Sequence, residues 1–448
     1  MGVASVNQRA PPHPGPPPRR GEGEELIPGR TQLRRHTPRS PVPGPRFPLP
    51  TNTEPPMLDL IIIGSILLTV ALAGYCAVIY PALLSMLARR MKRPWVRSDI
   101  FPRVSVIIPA HNEAGVIGKK LDNILAADYP VDALEVVVVS DASTDDTDAI
   151  VTSYAPRARL VRAEGRSGKQ VCLNLAAAQA TGEILLFTDA ASFLAPDAVR
   201  LLVRHFADPS IGAVSSAIRV KRGEAGHGKQ SEGEGLYLGA DCALRIREGE
   251  ISSVVGCVGA CYAMRRECFI PYHPGDCDDM AAVSSVVTFG KRAVMDPQVV
   301  SYMHPARDWQ AELARKVRTI AGALDTAWRY RGRLLHSAPL SLVWFVISHK
   351  LCRWLLPLSI CASFLAVTIG AIIGNTLWQI PFAVGVAGIS GGLISLILSQ
   401  SPNCPQIVKP FGFLLVSLYA GLLAWVQVIL GKKQVVWQPT PRIASKAC

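Results

Sequence analysis

The sequence predicts an α/β protein with a mainly parallel sheet, flanked by transmembrane helices. Three observations predict it. Short apolar, strand-like runs recur at 104–108, 135–139 and 183–187. Each delivers polar groups at its C-terminal end: Pro109-Ala110-His111-Asn112-Glu113 after the first, Ser140-Asp141-Ala142-Ser143-Thr144-Asp145-Asp146-Thr147 after the second, Thr188-Asp189-Ala190-Ala191-Ser192 after the third. Hydrophobic stretches long enough to cross a bilayer lie on both sides of this block. In an open α/β sheet, ligands bind at the carboxyl ends of the strands.

In chain order, residues 1–56 are rich in Pro, Arg and Gly and have almost no apolar periodicity. Such a segment buries too little surface to offset its chain entropy, and it is expected to be a disordered tail. Met57 stands directly before the first hydrophobic run, and the expectation is that it is the natural start. Residues 57–90 form an N-terminal transmembrane anchor, apolar over 58–87 with one early acid, Asp59. A signal peptide would place basic residues before its apolar core. Here Arg89, Arg90, Lys92 and Arg93 follow it. An uncleaved anchor in the cell (inner) membrane, with the α/β block on the cytosolic side, fits that charge.

Residues 100–335 form the soluble block. Its pattern reads strand 104–108, helix 115–126, strand 134–140, helix 145–154, strand 158–161, helix 169–180, strand 183–187 and helix 196–206. Strands alternating with helices imply parallel pairing. Residues 338–353 are apolar but broken by Ser348, His349, Lys350 and Arg353. They read as an interfacial amphipathic helix. Residues 354–430 hold C-terminal transmembrane helices, with spans near 354–374, 377–398 and 411–430. A basic tail, 431–448, ends the chain. Three spans after a cytosolic block would put that tail outside, whereas Lys432, Lys433, Arg442 and Lys446 favour the inside.

The chain carries 47 Lys+Arg against 34 Asp+Glu, a formal net charge of +13. Much of the excess lies in the N-terminal tail and beside hydrophobic segments, not on a face interleaved with aromatics. That distribution fits membrane lipids with anionic heads and excludes a nucleic-acid partner. The 11 cysteines are scattered. Cys257 and Cys261 lack a matching second pair, which argues against zinc and for reduced thiols.

Asp141 and Asp189 both follow apolar strands and converge on one rim of the sheet. Two carboxylates there can hold a base, a ribose or a divalent metal; equally, Asp141 and Ser143 can cap the following helix. Asp276, Asp278 and Asp279 can supply a general base or form a solvated acidic turn. Arg315 and Arg318 can stabilise a leaving anion or form the basic face of an interfacial helix. The run 256–266 is rich in small residues, which permits either close approach of a ligand or tight packing. A phosphate loop at 165–170 is excluded, because the first Gly lies too close to Gly168-Lys169 and no Ser or Thr follows.

These residues carry a resemblance. The stretches at 109–113, 140–147, Arg166-Ser167-Gly168-Lys169-Gln170, Thr188-Asp189-Ala190, Asp278-Asp279 and Arg315-Lys316-Val317-Arg318-Thr319, with Gly431-Lys432-Lys433, Trp437 and Arg442, resemble family-2 inverting glycosyltransferases of the GT-A fold. That family includes membrane-bound cellulose, chitin, hyaluronan and poly-N-acetylglucosamine synthases. The resemblance implies a UDP-sugar donor and a growing glycan or lipid-linked acceptor at the cytosolic membrane face. It implies that Pro109, His111, Asn112 and Glu113 line the nucleotide pocket, that Asp141 holds the base, and that Lys169 lies near the phosphates. Asp189 matches the first Asp of the family's DxD metal motif, implying Mg2+ or Mn2+; the second is Ala191 here. Asp279 matches the catalytic base of the TED motif, with Asp278 in the Glu position. Arg318 matches the Arg of QxxRW, whose Gln and Trp are Arg315 and Thr319 here. The leading reading is a membrane-bound hexosyltransferase; these departures are the only support for the alternative, a catalytically inactive nucleotide-sugar-binding membrane subunit. A polytopic transporter is disfavoured, because the apolar spans carry no ionisable residues in their cores.

Overall fold

The computed structural model describes residues 57–220, 231–303, 308–398 and 408–432. The expected tail 1–56, and most of the basic tail including Trp437 and Arg442, lie outside the described residues. The first helix, α1 (Met57–Gly74), continues through a π-helical turn (Tyr75–Ile79) into α2 (Tyr80–Arg90). Then come β1 (Val104–Ala110), α3 (Ile117–Leu125), β2 (Leu134–Ser140), α4 (Thr147–Ser153), β3 (Arg159–Arg162), α5 (Lys169–Gln179) and β4 (Ile184–Thr188). The second half of the layer holds β5 (Ser192–Leu194), α6 (Ala198–Val203), β6 (Ile211–Val220), α7 (Ser231–Ile251), β7 (Cys261–Arg265), α8 (Asp278–Thr288) and β8 (Arg292–Met303). Among the described residues, six α-helices follow: α9 (Trp309–Arg329), α10 (Arg331–Ser337), α11 (Leu340–Phe345), α12 (Cys352–Ile372), α13 (Thr376–Leu398) and α14 (Lys409–Ile429).

The eight strands form one sheet in the order β3-β2-β1-β4-β7-β6-β8-β5. The half from β3 to β4 is parallel throughout. The other half is mixed: β7 runs antiparallel to β4 and β6, β6 and β8 are parallel, and β5 is antiparallel to β8. This is a GT-A-like α/β fold. All of β1 is buried, because helices cover both faces, and a strand covered on both faces reads as an apolar run. β1 pairs with β2 from Val104 to Ala110, but with β4 only from Val104 to Ile107. Beyond Ile107 the two strands part. Pro109, which has no N–H to donate, lies in the stretch where β4 has withdrawn. The gap between the carboxyl ends of β1 and β4 is the crevice that the next section concerns.

Two cores line the two faces of the sheet. One contains Ile107, Val137, Phe187 and Tyr262 together with Tyr80, Leu84 and Ala88 of α2 and Leu342 and Phe345 of α11. The lower part of the first apolar helix is therefore packed inside the catalytic layer. The segment 338–353, expected as a separate interfacial helix, runs on from α11 through a π-helical stretch (Val346–Leu351) into α12. Among the described residues, four helical stretches are long and apolar enough to cross a membrane: Met57–Arg90, Leu340–Ile372, Thr376–Leu398 and Pro410–Ile429. Polar contacts tie them together. Tyr75 Oη meets Ser348 Oγ at 2.6 Å, and Asp59, the acid of the first run, accepts from Trp378 Nε1 at 2.6 Å and Asn375 Nδ2 at 3.1 Å.

Gly182 leads the chain into β4 against the backbone of β1. A Cβ there would stand 2.6 Å from the Ser105 nitrogen and 2.9 Å from the Arg103 carbonyl oxygen. Gly182 N also donates to Ser105 Oγ at 2.8 Å. Backbone cannot yield as a side chain can, so Gly182→Ala should destabilise the protein by about 1–3 kcal/mol, the usual range for overpacking. Thermal unfolding in detergent checks this; an unchanged melting temperature would contradict it.

Candidate active site

The crevice beyond β1 and β4 opens into a cavity of about 620 Å3. Its walls include Lys169 at the start of α5, Asp189 and Ala191 after β4, Asp278 and Asp279 at the start of α8, and Arg315 and Arg318 on α9. Elements distant in sequence thus bring together most of the predicted site residues. Glu113 joins them, whereas Pro109, His111, Asn112 and Asp141 are not among the described residues lining the cavity.

Lys169 is the centre of the cluster. Its Nζ lies 3.0 Å from Asp189 Oδ1 and 3.3 Å from Asp278 Oδ1. Burial opposes the ammonium's charge, but the two carboxylates outweigh burial and hold its pKa above the ordinary lysine value. Asp278 is buried, and that burial pushes its carboxyl up; Lys169 pulls it down, while Asp279 and Asp189 push it further up. The net shift is upward. Tyr262 Oη donates to its second oxygen at 3.4 Å. Asp279 is less buried, and its Oδ1 accepts from Cys277 Sγ at 2.8 Å.

Asp141 does different work in this structure. Its carboxylate is buried and accepts from the backbone of Ser167 at 2.6 Å and Gly168 at 3.1 Å, with Arg166 Nη1 at 3.4 Å. It folds the 165–168 loop over the end of β2 and so sets where α5, and with it Lys169, begins. Gly168 has φ 90°, a left-handed conformation that favours glycine. His111 Nδ1 lies 2.9 Å from the Asp141 carbonyl oxygen. Asn112 also has positive φ, 52°, and its Oδ1 accepts from Thr144 N at 2.8 Å. These residues knit the loops after β1 and β2 together.

On the acidic turn, Asp276 accepts from Tyr330 Oη at 2.5 Å and lies 3.1 Å from Arg329 Nε, pinning the start of α8 to the end of α9. On α9, Arg315 makes a two-point contact with Glu312, Nε to Oε2 at 2.9 Å and Nη2 to Oε1 at 2.7 Å.

Three cavity-associated residues carry no sequence motif. Asp241 and Arg245 of α7 line the wall, paired at 2.7 Å. Their spacing of four on one helix was the available signal. Lys120 of α3 is fully buried beneath the Asp189 loop, donating to Thr188 Oγ1 at 2.9 Å and to the Ser192 carbonyl. Burial pushes its ammonium down to about 8.

For the metal, Asp189 contributes one carboxylate and Ala191 none. Among the described residues there is no group of three His, Cys, Asp or Glu side chains placed to hold an ion. The donor set fits a hard cation that takes one or two protein carboxylates and completes its shell with substrate oxygens and water, the usual habit of Mg2+.

The Lys169 contacts make a prediction. Removing the ammonium in Lys169→Met should move the Asp278 pKa further up, so that ionisation is reached only at higher pH. An infrared titration of the carboxyl band, assigned by its loss in Asp278→Asn, measures this. A midpoint unchanged or lowered would show that Lys169 does not hold the Asp278 charge.

Comparison with known proteins agrees with this layout. Residues 105–271 match Glycosyl transferase family 2. A stretch of 119 residues is 38% identical to a beta-monoglucosyldiacylglycerol synthase of Synechocystis sp., covering 25% of each chain. Another of 178 residues is 31% identical to an N-acetylglucosaminyltransferase of Rhizobium sp., covering 38% of this chain and 39% of that one. The chain thus spans well under half the length of these curated relatives. Among solved structures, a mannosyltransferase from Pyrobaculum calidifontis in complex with GDP-Man and Mn2+ superposes with a TM-score of 0.64 at 27% identity. That match covers 84% of this chain and all of the other. Residues 105–271 thus resemble a family-2 glycosyltransferase domain, and the fold that holds the crevice is GT-A-like.

Proposed function

We propose that the protein is an inverting glycosyltransferase. It moves a sugar from a nucleotide-diphosphate donor, a UDP-sugar in the first instance, to a hydroxyl of a glycan or lipid-linked acceptor at the cytosolic face of the cell membrane. The observation that carries this reading is the convergence of Lys169, Asp189, Asp278 and Asp279 on one cavity at the carboxyl ends of β1 and β4. The family match over 105–271 supports it, as does the likeness to a GDP-Man-binding mannosyltransferase.

In this reading the acceptor hydroxyl attacks the anomeric carbon from the side opposite the diphosphate. The new C–O bond forms as the bond to the diphosphate oxygen breaks, and that electron pair leaves on the nucleoside diphosphate. Asp279 takes the hydroxyl proton. It suits this role better than Asp278, which is engaged with Lys169, or Asp276, which is pinned by Tyr330. Charge builds on the leaving diphosphate, and cations aimed there stabilise the transition state. Lys169, Arg318 and Arg315, all on the cavity wall, are the cations for that purpose. Asp189 is the protein ligand for Mg2+ or Mn2+; when bound, the ion supplies further charge compensation at the diphosphate.

Release of nucleoside diphosphate from UDP-glucose, UDP-N-acetylglucosamine and GDP-mannose by the purified protein tests the activity. In the productive pairing, Asp279→Asn should lower turnover by about 10²–10⁴-fold, the usual cost of losing a general base, with donor binding little changed. Wild-type turnover in that variant would move the role to Asp278. No release from any donor by the unaltered protein would favour the inactive-subunit alternative.

The metal reading has its own test. EDTA should inhibit, reversibly with Mg2+ or Mn2+, and Asp189→Ala should weaken donor binding and turnover together. Ala191→Asp adds one hard oxygen ligand and should lower the Mn2+ concentration that gives half-maximal activity. An unchanged or raised requirement would show that position 191 does not face the ion.

A further inference from the structure

One buried ionic network lies outside the donor side of the cavity and is made partly by the apolar helices. His349 sits in the π-helical stretch Val346–Leu351, an irregularity often found at functional positions in helices. Its ring is buried, and each nitrogen faces a carboxylate: Nδ1 lies 2.6 Å from Glu248 Oε1 and Nε2 lies 2.7 Å from Asp241 Oδ1. Both carboxylates belong to α7. Tyr80 of α2 donates to the same Glu248 oxygen at 2.7 Å, so two apolar helices clasp α7 at one point. Burial pushes the Asp241 carboxyl up, but Arg245 and His349 outweigh it and hold it well below the usual range.

The network continues towards the chemistry. Asp241 Oδ2 accepts from Arg245 Nε at 2.7 Å. Arg245 Nη1 donates to the carbonyls of Gly256 at 2.5 Å and Cys257 at 2.7 Å. Cys257 N in turn donates to the carbonyl oxygen of Asp279 at 3.1 Å. Asp241, Arg245, Cys257 and Asp279 all line the cavity. A chain of direct hydrogen bonds thus runs from an apolar helix to the backbone of the candidate base. The side chains of His349, Glu248, Asp241 and Arg245 are all buried, and Arg353 Nη1 also approaches Asp241 Oδ1 at 3.3 Å, so the arrangement is geometrically strict.

We infer that His349 is a positioning residue: through Asp241 and Arg245 it fixes the 256–257 wall and the placement of Asp279 for the acceptor half of the reaction. This rests on the transfer reading above. Lys169 and Asp189 lie outside the chain of bonds, so donor binding should not depend on it.

The test uses the full-length protein in detergent, with the donor that supports wild-type turnover and its free nucleoside diphosphate, UDP or GDP, as binding probe. His349→Gln keeps a polar side chain but has donors at one end only. Arg245→Lys keeps the charge beside Asp241 but loses the fork that reaches two carbonyls. Each should lower kcat by about tenfold to a hundredfold, as expected when a reacting group is misplaced by a fraction of an ångström to an ångström. Donor KM and the Kd for the nucleoside diphosphate should stay within about twofold, since the lost term belongs to the transition state. The double variant should be no worse than the weaker single, because the residues act as one unit. Unchanged kcat in both single variants would overturn the inference. So would a loss of nucleotide affinity and melting temperature in step with kcat, which marks a fold defect, or fully multiplicative losses in the double variant. Absence of turnover by the unaltered protein would remove the transfer reading and this inference with it; normal turnover in the variants would remove this inference alone.

Discussion

The ammonium of Lys169 is the charge around which the site is assembled. Asp189 arrives on the end of β4 and Asp278 on the first turn of α8, from segments nearly ninety residues apart. Two carboxylates brought that close resist joint ionisation unless a cation stands between them. Lys169 stands there, 3.0 Å from one and 3.3 Å from the other. Its own place is set by Asp141, whose carboxylate gathers the Ser167 and Gly168 amides and so starts α5 where it does. The parting of β1 and β4 after Ile107 provides the room.

The first half of the sheet is readable from the chain because its strands are covered on both faces and its connections are helical. Val106 to Ile108, Val136 to Val139 and Ile184 to Phe187 are unbroken apolar runs followed by polar segments, and helices connect them. The other half resists such reading. β6 is Ile-Gly-Ala-Val-Ser-Ser-Ala-Ile-Arg-Val and β8 carries Pro297 and a register shift, so neither shows a clean period. Their pairing is long-range and is fixed by packing rather than by local preference.

The same contrast applies to the site. Asp189 stands out because it follows an apolar run, whereas Lys169 and Asp278 are marked only by the family resemblance. Asp141 shares that pattern, yet its carboxylate is turned inward to hold a loop, a distinction that only the hydrogen bonds from Ser167 and Gly168 reveal. Arg245 and Lys120 have no such signature. They lie mid-helix, where a charged residue normally reads as solvated surface, and only the tertiary fold buries them. His349 interrupts an apolar stretch and was read as a sign of an interfacial position. The bonds from Glu248 and Asp241 give that polarity a partner inside the protein instead.

The place of Tyr80, Leu84 and Ala88 in the core beneath the sheet bears on how this molecule can be handled. An anchor joined by a loose tether could be cut away, leaving an intact soluble enzyme. Here the first apolar helix packs into the core on one face of the sheet. A fragment beginning after Arg90 would uncover the apolar side of α7 that α2 covers, and it would lose the Tyr80 hydroxyl that donates to Glu248. Such a fragment is a candidate for aggregation rather than for crystallisation.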